Sequence, residues 1–106
     1  SLPPPEDLAR AETLMNQGKL DPAIALLSDL AKAVPRIHGV EARLGKAYYA
    51  KPDYPSAAAH LEAALREDPS DLESTQLLGL SYYLMGQLPK AMPLLEKVQS
   101  AVAVPM

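Results

Sequence analysis

Apolar residues fall at three- and four-residue steps through much of this chain, and the steps come in sets. Ala23 and Leu27, then Ala57, Leu61 and Ala64, then Ala91, Leu95 and Val98 would each line one face of an α-helix. Breaks stand at regular places between such sets. Gly18, Pro52 and Gly86 fall just past one class of helix, and Pro22, Pro55 and Pro89 open the next, where a missing N–H costs nothing. Asp21 is expected to cap the helix that Pro22 begins, and Ser70 with Glu73 reads as a capping box. Pro35 and Pro69 end the second class, because proline cannot continue a helix. The pattern predicts six helices over about 6–17, 22–33, 37–50, 55–67, 71–84 and 89–101.

The sets also repeat at a fixed distance. Leu44-Gly45 maps onto Leu78-Gly79, Tyr48 and Tyr49 onto Tyr82 and Tyr83, and Pro35 onto Pro69, each step being 34 residues, as from 45 to 79. Ala23, Ala57 and Ala91 form one series at this period; Leu27, Leu61 and Leu95 form another, and Ala11 precedes Gly45. Three copies are expected, over about 4–37, 38–71 and 72–105, in one domain spanning 6–101 with a linker at 1–5 and a tail at 102–106. The opening Ser-Leu-Pro-Pro-Pro reads as extended linker, so the chain is expected to be a piece of something longer.

Composition narrows the function classes. Of the 106 residues five are tyrosine and none is Trp or Phe, so the core must be built from Leu, Ala and Val between closely packed helices. A net charge of −3 offers no electrostatic footprint for nucleic acid or an anionic membrane. No cysteine is present to form a disulfide or thiolate site. No apolar run approaches the roughly 20 residues of a membrane helix. The histidines His38 and His60 each stand near one acid, Glu41 and Glu62, and neither pair has the third ligand a metal wants. His38 and Glu41 are expected to share a helix face as solvated side chains. Every glycine serves a turn or a helix crossing, leaving no phosphate loop, and neither catalysis nor a cofactor is expected.

With its period, its Leu-Gly, Tyr, Ala, Leu and Pro positions in repeat two (Leu44-Gly45, Tyr48, Ala57, Leu61, Ala64, Pro69) and their counterparts in the other two, the chain resembles the tetratricopeptide repeat family. The resemblance implies an all-α fold, a right-handed α-α superhelix of antiparallel helix pairs. It also implies close crossings at Ala11, Gly45 and Gly79, opposed by Ala23, Ala57 and Ala91. The family's Trp position holds Asp7, Glu41 and Thr75, so lighter packing is expected there. Pro52 stands where the other repeats have glycine, which predicts a differently shaped, rigid turn. Pro93 falls inside the last helix, where it removes a backbone bond and is expected to bend it, and Pro105 predicts that this helix runs slightly long or frays.

What the resemblance implies for function is a binding groove, its concave face lined by the first helix of each repeat. Leu8, Glu12, Met15 and Asn16 would face it from repeat one, Ala42, Arg43, Lys46, Tyr49 and Ala50 from repeat two, and Gln76, Leu77, Leu80, Tyr83 and Leu84 from repeat three. Such a groove suits a peptide or partner helix with apolar anchors, Tyr49 and Tyr83 being the leading contacts. The plainer alternative is that both tyrosines pack against the next repeat. One subset of the family grips a chaperone's C-terminal carboxylate with Lys, Asn and Arg; the matching positions here are Leu8, Glu12, Arg43, Glu73 and Leu77, so only Arg43 could serve. A second expectation is self-association of a longer solenoid's segment through Met92, Leu95, Val98 and Val102 on the last helix, as a homo-oligomer.

Overall fold

The computed structural model describes residues 5–103. It contains α1 (Pro5–Asn16), α2 (Leu20–Leu30), α3 (Val40–Ala50), α4 (Tyr54–Glu67), α5 (Leu72–Leu84) and α6 (Leu88–Val102), with no strand among the described residues. Successive helices pack as the antiparallel pairs α1–α2, α3–α4 and α5–α6, and α2 and α4 each pack also on the helix that follows. The sequence expectations for the first linker residues and for Pro105 lie outside the described residues.

Curvature follows from which helices touch. α1 contacts α3 and α3 contacts α5, whereas α2, α4 and α6 do not touch one another among the described residues. The first helices of the pairs therefore crowd together on the inside of an arc and the second helices splay on its outside, a solenoid of 46 × 27 × 24 Å.

Two apolar clusters hold the stack. Ala11, Leu27, Leu30, Val40 and Leu44 join the first pair to the second; Ala57, Ala58, Leu61, Leu78, Tyr82 and Ala91 join the second to the third. Ala23, Ala57 and Ala91 are all fully buried. The glycines, however, meet leucine rather than these alanines. A Cβ on Gly45 would stand 2.5 Å from Leu61 Cγ, and one on Gly79 would stand 2.9 Å from Leu95 Cγ. Helical side chains lean back over the preceding turn, so the residue that covers the glycine lies one turn beyond the alanine.

The capping signals in the sequence are used by the structure, in two places by a residue other than the one expected. α2 starts at Leu20 with no side-chain cap, because Asp21 turns instead to Lys51 Nζ at 2.6 Å, a contact that raises the Lys51 pKa above its ordinary value. Asp71, not Ser70, caps α5, accepting from the Ser74 N–H at 3.1 Å and the Ser74 hydroxyl at 2.7 Å. Ser70 donates to Asp68 and, with its backbone N–H, holds that carboxyl below its usual range. Asp71→Ala is therefore expected to lower stability by about 1 kcal/mol in urea unfolding, and Ser70→Ala by less than half of that.

The linker between α2 and α3 is longer than predicted. α2 ends at Leu30, tightening through Lys32 N–H to Asp29 O and Ala33 N–H to Leu30 O, and Pro35 bars Val34 from helical geometry. α3 begins only after Gly39, whose φ of +91° suits glycine. The turns after α1 and α5 close with paired bonds, Lys19 N–H to Leu14 O and Gly18 N–H to Met15 O in the first. At Pro52 the outer bond survives, Asp53 N–H to Tyr48 O at 2.8 Å, and the inner one is missing with the proline N–H. The turn thus differs by one bond. α6 continues through Pro93 to Val102.

Candidate partner-binding face

The inner face is built from α1, α3 and α5, and the two cations that α3 presents to it are met by acids of its neighbours. Arg43 of α3 places Nε 3.2 Å from Glu12 Oε1 of α1 and donates from Nη1 to Gly39 O at 3.0 Å. The buried Nε lies off the hydrogen-bond direction, so the Glu12 contact is Coulombic. Lys46 reaches Glu73 of α5 at 3.9 Å. These pairs tie neighbouring first helices to one another. They also leave no free charge cluster in the middle of the face.

The apolar residues divide by depth. Leu8 and Met15 are half-buried against the first cluster, and Tyr49 and Leu77 against the second, with Tyr49 edge-on to Tyr54 at 5.5 Å. Packing thus claims part of each. Ala42 and Leu80 are half-buried, and Asn16, Ala50 and Gln76 are exposed. Tyr83 is 53% and Leu84 48% exposed, so the open apolar surface concentrates at the α5 end. On α6, Met92 is 48% and Val102 63% exposed, while Leu95 and Val98 are half-buried and Leu95 lies against Gly79. Of the four residues expected to form a self-association patch, Leu95 therefore has a structural partner already.

The histidines stand in different company from that expected. His38 precedes α3 and so shares no helix face with Glu41; its Nδ1 is 3.9 Å from Glu67. Glu41 instead meets His60 Nδ1 at 2.7 Å, and the His60 ring stacks on Tyr48 at 5.3 Å. Arg36 lies 3.8 Å from Glu41 and 3.6 Å from Glu67, whose Oε1 also accepts from the Gly39 N–H. This network pins the α2–α3 linker onto α4. Its members are up to 31 positions apart, from Arg36 to Glu67, and no local spacing announces it. The cavity beside it, lined by Arg36, Ile37, Val40 and Glu67, holds about 10 Å³, room for one water and no cofactor. Among the described residues no three His, Cys, Asp or Glu converge as metal ligands, and no helix is long and apolar enough to cross a membrane.

One further polar contact locks the stack. Tyr82 of α5 donates its hydroxyl to Glu62 Oε2 of α4 at 2.8 Å, and Lys90 of α6 sits 5.4 Å from the ring centroid. Burial, then the Glu62 hydrogen bond and charge, push the Tyr82 pKa from 10.0 to about 12. The folded state thus holds this proton more tightly than the unfolded chain does. Its contribution to stability is intact below pH 10 and is lost as pH rises towards 12. Alkaline titration at 295 nm should show a tyrosinate step near pH 12 that moves down in Glu62→Gln.

Comparison with known proteins agrees with this architecture. The sequence model of the family described as "Tetratricopeptide repeat" matches residues 8–71 and 42–103. Superkiller complex protein 3 of Mus musculus is 32% identical over 73 residues, 69% of this chain and 5% of that protein. The Homo sapiens protein of the same name is 32% identical over 72 residues, 68% of this chain and again 5% of the relative. The matched segment thus spans a twentieth of the length of either relative.

Proposed function

The chain belongs to the tetratricopeptide repeat family, and from that premise we propose that it is a scaffold module that holds a peptide or partner helix against the inner face of α1, α3 and α5. Repeats of this family mediate protein–protein interaction and are typically non-enzymatic. The relatives' printed name, that of a protein of a complex, is in keeping with a role in assembly.

The observation that carries the reading is the uneven exposure of that face. Tyr83 and Leu84 stand open on α5, while Arg43 and Lys46 of α3 are engaged by Glu12 of α1 and Glu73 of α5. A ligand that relied on charge would have to break the Glu12–Arg43 contact. An apolar anchor seated on Leu80, Tyr83 and Leu84 breaks nothing, and Tyr83 adds a hydroxyl at its rim. Carboxylate-terminated chaperone peptides are accordingly not the ligand, since Arg43 is already engaged.

Site-specific photo-crosslinking from position 83 in native lysate, with Arg66 on α4 as the control position, should yield a defined adduct from 83 alone. Tyr83→Ala should then weaken the identified partner at least about ten-fold, as expected for an aromatic anchor, without altering the melting curve. Equal adducts from both positions would refute the assignment.

A further inference from the structure

The helix pairs are joined by different forces. Between the first pair and the second, ionic contacts stand at three places around the apolar cluster. On the inner face Arg43 Nε lies 3.2 Å from Glu12 Oε1. On the edge that carries the turns after α1 and α3, Lys51 Nζ meets Asp21 at 2.6 Å. On the opposite edge Arg36, in the linker that follows α2, lies 3.6 Å from Glu67 of α4 and 3.8 Å from Glu41 of α3. One period later the same positions hold Lys46 and Leu77, Pro55 and Met85, Ser70 and Ala101, and Ser70 and Thr75, none of which attract by charge. The joint between the second pair and the third relies instead on its own apolar cluster, the hydrogen bond from Tyr82 to Glu62, and one loose ionic contact, Lys46 to Glu73 at 3.9 Å.

Water reaches the ionic ties of the first joint, since the side chains of Asp21 and Arg36 are 79% and 71% exposed and those of Arg43 and Glu12 32% and 34%. Such contacts are individually weak, and salt screens them over about 3 Å at 1 M against about 30 Å at 0.01 M. Apolar burial has no charge to screen. Chain length also favours motion here, because residues 31–39 separate α2 from α3 whereas only 68–71 separate α4 from α5. We propose that the joint between the first two helix pairs is a salt-responsive hinge. At low ionic strength the ties hold α1 against α3; at high ionic strength the α1–α2 pair swings as a body and widens the inner face between α1 and α3 alone. α3 to α6 keep their arrangement, and Leu80, Tyr83 and Leu84 keep theirs with them.

The chain has no cysteine, so two introduced ones carry spin labels at chosen positions. Labels at Arg10→Cys of α1 and Arg66→Cys of α4 span the first joint, and labels at Arg66→Cys and Lys97→Cys of α6 span the second, all from exposed positions. Between about 0.01 M and 1 M NaCl the population at longer distance across the first joint is expected to rise about ten-fold, and that across the second to stay within about two-fold. Arg36→Gln combined with Lys51→Gln should show the longer distance already at low salt and lose most of the salt response. Asp21→Asn replaces Lys51→Gln should circular dichroism show that variant unfolded. An unchanged first joint, an equal change at both joints, or a salt response that survives in the variant would overturn the inference. So would loss of helical circular dichroism at about 1 M NaCl, because the first pair would then be melting rather than turning. No ligand enters the experiment, so the hinge and the reading of the inner face can each fail alone.

Discussion

Gly45→Leu is expected to destabilise the protein by about 3 kcal/mol or more, a large part of the roughly 5–15 kcal/mol that holds a domain of this size folded. The cause is space. A single Cβ at position 45 already meets Leu61 Cγ and Cδ2 at 2.5 Å and the Leu61 backbone N at 3.3 Å. Leu61 is fully buried, so it has no solvent side to retreat into. Glycine costs a helix interior up to about 1 kcal/mol against alanine, so even Gly45→Ala tests which effect wins. Overpacking should win, because relief requires α3 and α4 to separate. A melting temperature unchanged or raised in Gly45→Leu would contradict the crossing geometry.

Leu61→Ala should cost about 3–4 kcal/mol in urea unfolding, and Leu95→Ala, at the same repeat position, about half of that. Both leucines cover a glycine of the preceding helix. They differ in what lies over them: α5 seals Leu61 completely, whereas Leu95 is half-buried at the end of the stack. A truncated side chain at 61 leaves a closed cavity; at 95 it leaves a dent that water enters. Equal costs at the two positions would mean that the end of the stack is as well covered as its middle.

Helix number, order and type were legible because they rest on local chemistry. Pro55 and Pro89 lie in the first turns of α4 and α6, and Gly18 and Gly86 follow α1 and α5 with φ of +75° and +76°. Local competition between caps was not legible. Asp21 and Ser70 are both good cap residues, and each is drawn elsewhere, to Lys51 thirty positions on and to Asp68. Contacts between pairs lay further out of reach: nothing in the spacing of Glu41 and His60, or of Glu62 and Tyr82, tells that they meet. The repeat register supplied more than composition did, since a position covered in one copy and bare in another identifies an open surface. Among the inner-face residues, depth was the missing quantity. Tyr49 and Tyr83 are equivalent by sequence, yet one is held against Tyr54 and the cluster beneath it and the other is half exposed.

Hydrogen exchange of the protein with its crosslinked partner tests the central claim, that the inner face binds, most directly. The account predicts added protection in α5 across Gln76 to Leu84 and in the facing turns of α3, with α2 and α4 unchanged. Protection confined to α2 and α4, on the outside of the arc, would contradict it.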